Sequence, residues 1–550
     1  MIPSFIILSL IYLCVVGYSI FLKRFFFNKN INLDFYNLDF FYGISFIILL
    51  GCLINFFLPL KVFSNFIILV GFLLFLFFYN KTNFKFNIKI IFILIFFFLF
   101  ISVSHSQVGD SAWYHLQNIK WVSDFKISFG LANLEPRYAY NSLIYIFLSA
   151  LNIEIGNLQT KYILSILFYS VFFGEAFTSK LNNLSIFFIF LSKIFLLIFS
   201  LIHPDVNGVL FNYIGSIEVD NLIIFFYFIS IYLYLKINNE NYKKDDIYIL
   251  VLISVLSITF KITSLPLIIF FFFMVYKFQL PIRLKFFLLL ILVFWLLRGF
   301  IQSGCFIFPI KYTCFDVMWS IKQIDLNYFY DLLKSYPRSA PSRIMWGDFD
   351  YTLRSFFWVK SWFYDYFLNA SMIKILIIIL FSSIIALLIF LISIKNYYKT
   401  FINIVKKNYI IFIVLIISLV LWLQSPEIRY GTGQLISSIL LFFLLIFYTY
   451  LKKMITFFKI SNLHLKFIFI LFILIIIKNY QNYSYIVKYY TIEKDYDYSN
   501  FKLVDLNNTY IFYNSASNNF CYDFKEICVL DKTKKYFFKK SNGYFFFYNF

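Results

Sequence analysis

The chain has 550 residues, of which 62% are hydrophobic and 14% charged, and its mean hydropathy is +0.81. This composition is too apolar for an ordinary globular protein, and the apolar residues fall in long runs, so the sequence predicts an integral membrane protein. The net charge of +21 comes from short basic clusters between those runs, which the positive-inside rule explains better than a nucleic-acid surface does.

Apolar stretches long enough to cross a hydrocarbon core of about 30 Å predict an all-α, multi-pass protein with about 12–14 transmembrane helices. The first segment has no charged start and no small-residue cleavage site, and Lys23 and Arg24 follow it, so we expect an anchor that starts outside and not a cleaved signal peptide. The short pair at 247–277 is compatible with one broken or re-entrant element. The predicted spans are 3–22, 39–59, 64–79, 88–103, 159–175, 184–202, 221–237, 247–259, 264–277, 284–299, 369–394, 408–424, 434–451 and 464–478.

Basic clusters between the spans predict which segments face the cytoplasm. If they are cytoplasmic, alternate crossing places 104–158, 203–220, 300–368, 425–433 and the tail from about 479 on the opposite side. The clusters are Lys23-Arg24-Lys29, Lys81-Lys85-Lys89, Lys236-Lys243-Lys244, Lys277-Arg283-Lys285, Lys395-Lys399-Lys406-Lys407 and Lys452-Lys453-Lys459.

Cysteine usage agrees with this polarity. Cys14 and Cys52 lie in apolar spans, whereas Cys305/Cys314 and Cys521/Cys528 are close pairs in segments placed outside, where disulfides persist. We expect a Cys521–Cys528 bridge in the tail, whose stretches "TYIFYNS" and "GYFFFYNF" indicate short strands with little core of their own.

The first outward loop, which contains "GDSAWYHLQNIKW", has two interpretations. In the first, Asp110 is the N-cap of an amphipathic helix at the membrane surface, with Trp113, Leu116, Ile119 and Val122 on its apolar face. Trp113, Tyr114 and Trp121 would then belong to an interfacial aromatic belt.

In the second interpretation this loop forms a site. Its polar side chains suggest a charged or hydroxylated ligand at the membrane face. They are Asp110, His115, Gln117, Lys120, Asn133, Glu135, Arg137 and Asn141.

The loop motif, together with "GLANLEPRYAYNS", resembles the first external loop of an uncharacterised group of multispanning bacterial membrane proteins related to the GT-C glycosyltransferase superfamily. The similarity continues in order through "KITSLPL", "LRGFIQSGCFIFP", "SPEIRYGTG" and the terminal "CYDFKEIC". The resemblance implies a GT-C-like fold and a transferase that passes a sugar from a polyprenyl-phosphate carrier to a glycan, lipid or protein acceptor on the outer face.

In that superfamily an acidic residue of the first large external loop acts on the acceptor, and Asp110 is the matching position. A hydroxyl that attacks an anomeric carbon must lose a proton, and a carboxylate within hydrogen-bond reach can accept it. We therefore expect Asp110 to be catalytic and His115, in the same motif, to bind substrate.

The phosphate leaving group needs cations, and arginine binds phosphate through a fixed fork of donors. Arg137, Arg298 and Arg429 stand at external membrane boundaries, and Lys261 stands at one if the 247–277 pair is broken there. The alternative for each is a snorkelling side chain at a helix end. Arg298 and Arg429 are the preferred candidates because they lie in matched stretches.

A second acidic position follows in the next outward loop, where "GSIEVDNL" opens a span. Asp220 either caps that helix or, like Glu218, completes a site with Asp110, since the related proteins have an acid in this loop. The first loop has Gly109-Asp110 where many superfamily members have two adjacent acids, so a divalent metal is possible but no metal ligand set is predicted.

Other chemistries lack their motifs. The sequence has no HExxH, GxSxG or Walker pattern, which leaves metalloprotease, serine hydrolase and ATP-driven transport without support. A transporter places ionisable residues midway along its spans, whereas here they lie at external ends. The alternatives to a glycosyltransferase are an envelope polysaccharide polymerase, ligase or flippase, and a non-catalytic scaffold.

We therefore expect a protein of the bacterial inner membrane with its site on the periplasmic side and no nucleic-acid partner. Its partners would be the bilayer, the lipid-linked sugar and the acceptor. The expected units are a four-helix membrane segment at 1–103, the first external loop at 104–158, a membrane core at 159–299, the second external loop at 300–368, membrane helices at 369–478 and a small β-rich external tail at 479–550.

Overall fold

The computed structural model describes most of the chain up to residue 457 and short pieces beyond it. Helices make up most of the described residues. The described residues are 2–27, 33–102, 110–155, 158–176, 183–202, 214, 217, 219–240, 242–393, 397–457, 470–471, 473–475, 477, 501–506, 509–514, 528–529 and 537–548.

The helices follow the predicted division into membrane segments and loops. The first segment contains α1 (Ile2–Phe27), α2 (Phe40–Phe57), α3 (Ser64–Tyr79) and α4 (Ile88–Ser102), and the first loop contains α5 (Leu116–Asp124), α6 (Leu131–Leu134) and α7 (Ile144–Ala150). The central helices are α8 (Ser165–Gly174), α9 (Leu184–Ile202), α10 (Asp220–Asn239), α11 (Lys244–Phe260), α12 (Ile268–Lys277) and α13 (Ile282–Ser303). The second loop contains α14 (Gln323–Arg338), α15 (Phe349–Thr352) and α16 (Phe357–Ser361), and the last helices are α17 (Ser371–Ser393), α18 (Tyr397–Lys407), α19 (Tyr409–Trp422) and α20 (Ile428–Phe457).

Strands are short and lie in loops and in the tail. They are β1 (Leu33–Phe35), β2 (Thr82–Phe84), β3 (Glu154–Ile155), β4 (Leu158–Gln159), β5 (Phe501–Leu506), β6 (Thr509–Asn514), β7 (Cys528–Val529), β8 (Phe537–Ser541) and β9 (Tyr544–Tyr548). β5 and β6 pair antiparallel, as do β8 and β9. Much of 479–550 lies outside the described residues, so a separate β-rich tail domain stays a prediction.

The number of membrane-crossing helices is smaller than predicted. Among the described residues, five helices are long and apolar enough to cross a membrane, or up to seven if each of two bent pairs is one span. Other predicted spans are apolar helices of only 10–17 residues, which rise roughly 15–26 Å at 1.5 Å per residue, less than the roughly 30 Å of a hydrocarbon core. The hydropathy pattern located the apolar runs but did not show where each helix ends. The predicted span at 464–478 lies largely outside the described residues.

The segment 247–277 is two helices and not one broken element. α11 and α12 pack along each other, and the chain reverses between them at Lys261, where a 3₁₀ turn, Ile262–Leu267, begins. The far end of α12 returns to the end of α10, where Lys277 Nζ donates to Asn238 Oδ1 at 3.2 Å. This reversal is what brings Lys261 to the start of α10.

The described residues of the first five basic clusters lie at one end of the helix bundle, which we call the basic end. Lys23 lies there between two carboxylates, Asp39 at 2.6 Å and Asp245 at 2.7 Å. Further contacts that join the clusters are Arg24 to the Lys81 carbonyl, Arg283 to the Phe25 carbonyl and Asn238 to the Lys407 carbonyl.

The segments predicted to be external meet at the other end, which we call the loop end. Contacts join the first loop to the second, to the 425–433 turn and to the tail. These contacts are Asn133 to the Trp319 carbonyl at 3.0 Å, Arg429 to Asp110 at 2.7 Å and Lys126 to the Asn542 carbonyl at 3.0 Å. The division of the chain between two ends thus follows the predicted one, and which end faces the cytoplasm stays a prediction.

The sidedness is testable with two exposed positions at opposite ends, Asp348 and Lys89. We expect Asp348→Cys to react with a membrane-impermeant maleimide on intact cells, or spheroplasts if an outer membrane is present, because it lies opposite the basic clusters. Lys89→Cys is the matched control and should react only after permeabilisation. Labelling of Asp348→Cys only from the cytoplasmic side would reverse the topology.

A disulfide joins Cys305 and Cys314 in the second loop. This is one of the two close cysteine pairs that the sequence places in external segments. Cys14 and Cys52 are free and buried in their helices, as expected. Cys528 begins β7, but Cys521 lies outside the described residues, so the Cys521–Cys528 bridge stays a prediction.

The β8–β9 hairpin packs on the first loop. Backbone hydrogen bonds join Phe129 to Phe545 and Phe547, and the rings of Phe545 and Phe547 contact Trp121 edge to face. Gly130 has a positive φ of 67°, and a Cβ there would overlap the carbonyl oxygens of Phe547 and Trp319. The glycine therefore allows the first loop, the second loop and the tail to approach one another.

The predicted surface helix of the first loop forms but is not at the surface. Residues 116–123 of α5 are all buried, because α7 and the hairpin pack around them. Trp121 is covered by the hairpin, and Trp113 lies under the Arg137 guanidinium at 4.4 Å. The period of three in "WYHLQNIKWV" indicated that α5 has one apolar face. The tail hairpin that covers another side of this helix is so distant in the sequence that its packing could not be predicted.

Candidate active site

Asp110 directly precedes a π-helical turn, Ser111–His115, that leads into α5. Its backbone is helical and its side chain makes no capping hydrogen bond. The carboxylate instead forms an ion pair with Arg429, with Oδ2 at 2.7 Å from Nη2. The N-cap interpretation of Asp110 is therefore wrong.

Arg429 lies in the first turn of α20 and is held there by its neighbours. Glu427, just before it, pairs with Arg343 at 2.7 Å, and the Glu427 carbonyl accepts from Trp422 Nε1 at 2.7 Å. Gly431 packs so closely on the Trp422 indole that a Cβ would overlap it. The turn "SPEIRYGTG" thus positions its arginine through contacts on both sides.

A second ion pair lies beside the first. Lys261 pairs with Asp220, and its Nζ lies 4.1 Å from the centre of the Tyr430 ring. The Arg429 guanidinium lies 5.2 Å from the same ring. Tyr430 therefore lies close to both cations, and each cation has a carboxylate partner.

His115 lies near both acids and is buried, with 3% of its surface exposed. The ring hydrogen-bonds to the Ile217 backbone, while Nδ1 has no hydrogen-bond partner among the described residues. Since burial lowers the pKa of His115 to about 4 despite the charges of Asp110 and Asp220, the ring is neutral at pH 7. If Nε2–H donates to the Ile217 carbonyl, Nδ1 carries a lone pair and can accept a proton or a hydrogen bond.

The protonation of Asp110 follows from opposing effects. Burial raises the pKa of this carboxyl, but the charges of Arg429 and Lys261 and the hydrogen bond from Arg429 outweigh it and hold the pKa below its usual value. Asp110 is therefore ionised at neutral pH. Withdrawal of Arg429 would remove its largest stabilising neighbour and make the carboxylate a stronger base.

These groups border a cavity of about 370 Å³ at the loop end. Asp110, His115, Asp220, Lys261 and Tyr430 form its polar wall. The rest of its lining is largely apolar and comes from the 306–310 turn, α14, the end of α19 and the 3₁₀ turn after Lys261. The cavity thus suits a ligand with a charged or hydroxylated head and an apolar body.

Two other predicted binding residues lie behind the cavity wall. Arg298 is buried and donates to Asn55 Oδ1 at 2.7 Å and to Asn141 Oδ1 at 3.3 Å. Arg137 lies 3.7 Å from Glu135 and stacks on Trp113. Arg298 therefore holds Asn141, which does line the cavity, and neither arginine faces the ligand space.

Comparison with known proteins gives one match. A family model described as Domain of unknown function (DUF8201) matches residues 1–436. The chain belongs to this family. No curated protein and no solved structure matches it.

The DUF8201 region contains Asp110, His115, Asp220, Lys261 and Arg429, and it ends inside α20. All the described groups of the polar wall therefore belong to the family region. The β8–β9 hairpin that covers the first loop lies beyond it.

The described residues contain no group of three or more His, Cys, Asp or Glu side chains placed to hold a metal ion. Glu218 and residues 103–109, which neighbour Asp220 and Asp110 in sequence, lie outside the described residues. The charged groups that the structure describes in the cavity wall are Asp110, Asp220, Lys261 and Lys334. Asp110 is paired with Arg429 and Asp220 with Lys261, an arrangement suited to an anion that displaces the carboxylates.

Sequence reasoning missed the tyrosines of the site. Tyr114, Tyr140, Tyr145 and Tyr430 all line the cavity. With 24% aromatic residues in the chain, a single tyrosine carries little weight, and this explains the omission. In the quoted motifs, Tyr114, Tyr140 and Tyr430 are adjacent to His115, Asn141 and Arg429. This adjacency was the sequence feature that could have identified them as site residues.

Proposed function

We propose that this protein is a membrane glycosyltransferase that moves a sugar from a polyprenyl-phosphate-linked donor to a hydroxylated glycan, lipid or protein acceptor. The observation that carries this proposal is that Asp110 and Asp220 lie in the wall of a largely apolar cavity and are each paired with a cation, of which Lys261 also lines the cavity. A lipid-linked phosphate matches both parts, because its phosphate suits Arg429 and Lys261 and its chain suits the apolar wall.

Donor binding would exchange the partners of the two cations. The phosphate takes Arg429 and Lys261, and Asp110 and Asp220 lose the charges that stabilise them. Asp110 then becomes more basic and accepts the acceptor's proton as its oxygen bonds to the anomeric carbon. The bond from that carbon to the phosphate oxygen breaks, and the electron pair leaves with the phosphate, whose negative charge the two cations stabilise.

His115 supplies a second contact for the acceptor. The His115 residue lines the cavity. Its Nδ1 is buried and has no partner among the described residues, so we expect this atom to accept a hydrogen bond from a hydroxyl beside the one that reacts. This role is one of positioning, since a base with a pKa of about 4 removes a hydroxyl proton poorly.

A flippase is a less suitable function. A second cavity of about 340 Å³ with charged walls lies at the basic end, where Lys236 and Asp246 line it. Between the two cavities α10 is buried and carries no charge from Leu222 to Leu235. The described residues of α10 thus offer no charged path from one end to the other.

The proposed function is tested in a bacterium that carries this gene, on its inner membrane, with the site facing the periplasm. Deletion should remove a sugar from an envelope glycan, lipid or protein, and the wild-type gene should restore it. Accumulation of the unused polyprenyl-phosphate sugar in the deletion strain would identify the donor. An unchanged glycan, lipid and donor profile would contradict the proposal and favour a scaffold.

Two substitutions of His115 distinguish the roles of its two ring nitrogen atoms. His115→Gln keeps an N–H near the position of Nε2 but has no acceptor near Nδ1, whereas His115→Asn keeps a polar atom near Nδ1. We expect the Gln variant to raise the acceptor KM by roughly 10-fold or more, since loss of a buried hydrogen bond costs about 1–3 kcal/mol. The measurement is transfer rate against acceptor concentration, with donor KM as the internal control.

The Asn variant should keep an acceptor KM closer to that of the wild type. Equal acceptor KM values in the Gln variant and the wild type would remove His115 from acceptor binding. A parallel rise in donor KM would point to a general disturbance of the cavity.

A further inference from the structure

The second loop ends in a helix that has one face on the protein and one face without a described neighbour. This helix, Phe357–Phe367, is formed by α16 and the π-helical turn that follows it. Trp358, Trp362 and Tyr366 recur at a spacing of four residues and form the face that packs on the protein. Trp362 Nε1 donates to the Pro426 carbonyl at 2.9 Å, and Tyr366 donates to Glu427.

The other face exposes large aromatic side chains. Phe357 is 79% exposed, Tyr364 59% and Phe363 38%, and Phe356 just before the helix is 85% exposed. Scattered exposed apolar residues are ordinary, but a contiguous aromatic face is typical of a protein or membrane interaction site.

The direction of the helix indicates whether its aromatic face contacts another protein or the membrane. It is bent by 88° from Met372–Leu388, the described part of α17 that follows it. α17 exposes Ile378, Phe381, Ile385 and Leu388, the apolar surface expected of a helix that faces lipid tails. A helix at right angles to such a span lies in the membrane plane, close to the point where α17 begins.

The charges on the helix indicate its depth. Lys360 and Asp365 are exposed, and an exposed charge in the hydrocarbon core costs several kcal/mol. Aromatic residues together with charged ones are typical of the headgroup region, where an amphipathic helix buries its apolar face roughly 5–10 Å deep.

We propose that the Phe357–Phe367 helix is a membrane-surface anchor whose partner is the lipid headgroup region on the side of the loop end. This inference does not depend on the proposed transferase activity. The anchor would fix the position of the cavity relative to the membrane surface. Trp422 contacts Trp362 on this helix at 6.0 Å between ring centres and also lines the cavity.

The depth of the helix can be measured with an environment-sensitive NBD fluorophore on single cysteines. Phe357→Cys and Phe363→Cys would be labelled in nanodiscs of phosphatidylcholine and phosphatidylglycerol, with Asp348→Cys as the control at the same end. Cys14 and Cys52 are buried and Cys305 and Cys314 are bonded, so they compete little for the label.

We expect blue-shifted emission at 357 and 363 that lipids brominated high in the acyl chain quench several-fold more than lipids brominated near its end. Position 348 should be quenched only by aqueous iodide. Iodide quenching at 357 and 363 would show a water-facing surface and overturn the proposal. Strongest quenching by deep bromines would show a broken span, and protection from every quencher would show a protein partner or a second copy.

Discussion

Asp110→Asn should lower sugar transfer by about 10²–10⁴-fold, the usual contribution of a positioned general base, while the protein stays folded in the membrane. The amide has nearly the size of the carboxylate but cannot accept the acceptor's proton. No helix cap is lost, because the Asp110 side chain makes no capping hydrogen bond.

The same substitution should leave binding of the carrier unchanged or make it tighter. In the wild type Arg429 is paired with Asp110, so a bound phosphate must displace a carboxylate, whereas in the Asn variant it displaces only a neutral amide. Native mass spectrometry with polyprenyl phosphate alone measures this binding, and the glycan profile of the complemented deletion strain measures transfer. Opposite effects on the two readouts distinguish loss of a base from loss of the fold.

Asp124→Asn is the matched control, since Asp124 is an exposed acid of the same loop. It should restore the wild-type glycan profile at equal protein level. Full restoration by Asp110→Asn as well would show that its carboxylate is not the base, and the Asp110–Arg429 pair would then be structural.

Arg429→Ala should weaken binding of polyprenyl phosphate by roughly 10–100-fold, because one charged hydrogen-bonding partner contributes about 1.5–3 kcal/mol. Arg429→Lys should recover part of the loss, since lysine keeps the charge without the two-pronged fork. The measurement is carrier affinity by titration in detergent, so that it does not depend on knowing the sugar.

Arg354→Ala is the control for Arg429→Ala. Arg354 is 77% exposed at the loop end, and among the described residues its ion-pair partner is the equally exposed Asp350. Its removal should leave carrier affinity unchanged. Unchanged affinity in Arg429→Ala would mean that the carrier phosphate binds elsewhere or that Lys261 alone is sufficient.

Sequence patterns predicted local features and the two ends of the bundle well. The bounds of α3 match the predicted span at 64–79, and the basic clusters lie together because charge is excluded from the hydrocarbon core at every crossing alike. Asp110, Asp220, Lys261 and Arg429 were singled out because an ionisable residue at a membrane boundary is costly unless it has a partner.

Sequence patterns did not predict which charged residue meets which. Arg298 and Arg429 both stand at outer helix ends in motifs of similar appearance, yet Arg298 binds two asparagine side chains behind the wall and Arg429 binds Asp110. Packing between segments some three hundred residues apart decides this, and periodicity contains no information on it. The lengths of short helices such as α8, which has ten residues, also could not be read from periodicity.

The docking of the β8–β9 hairpin has a consequence for biogenesis. Lys126 donates to the Asn542 carbonyl, 416 residues further along the chain, and the aromatic rings that cover Trp121 come from Phe545 and Phe547. Membrane insertion proceeds from the N-terminus during synthesis, so the loop that carries Asp110 emerges long before these partners exist. Its final packing is therefore among the last steps of maturation, and a ribosome that stops early releases a chain whose first loop lacks its cover.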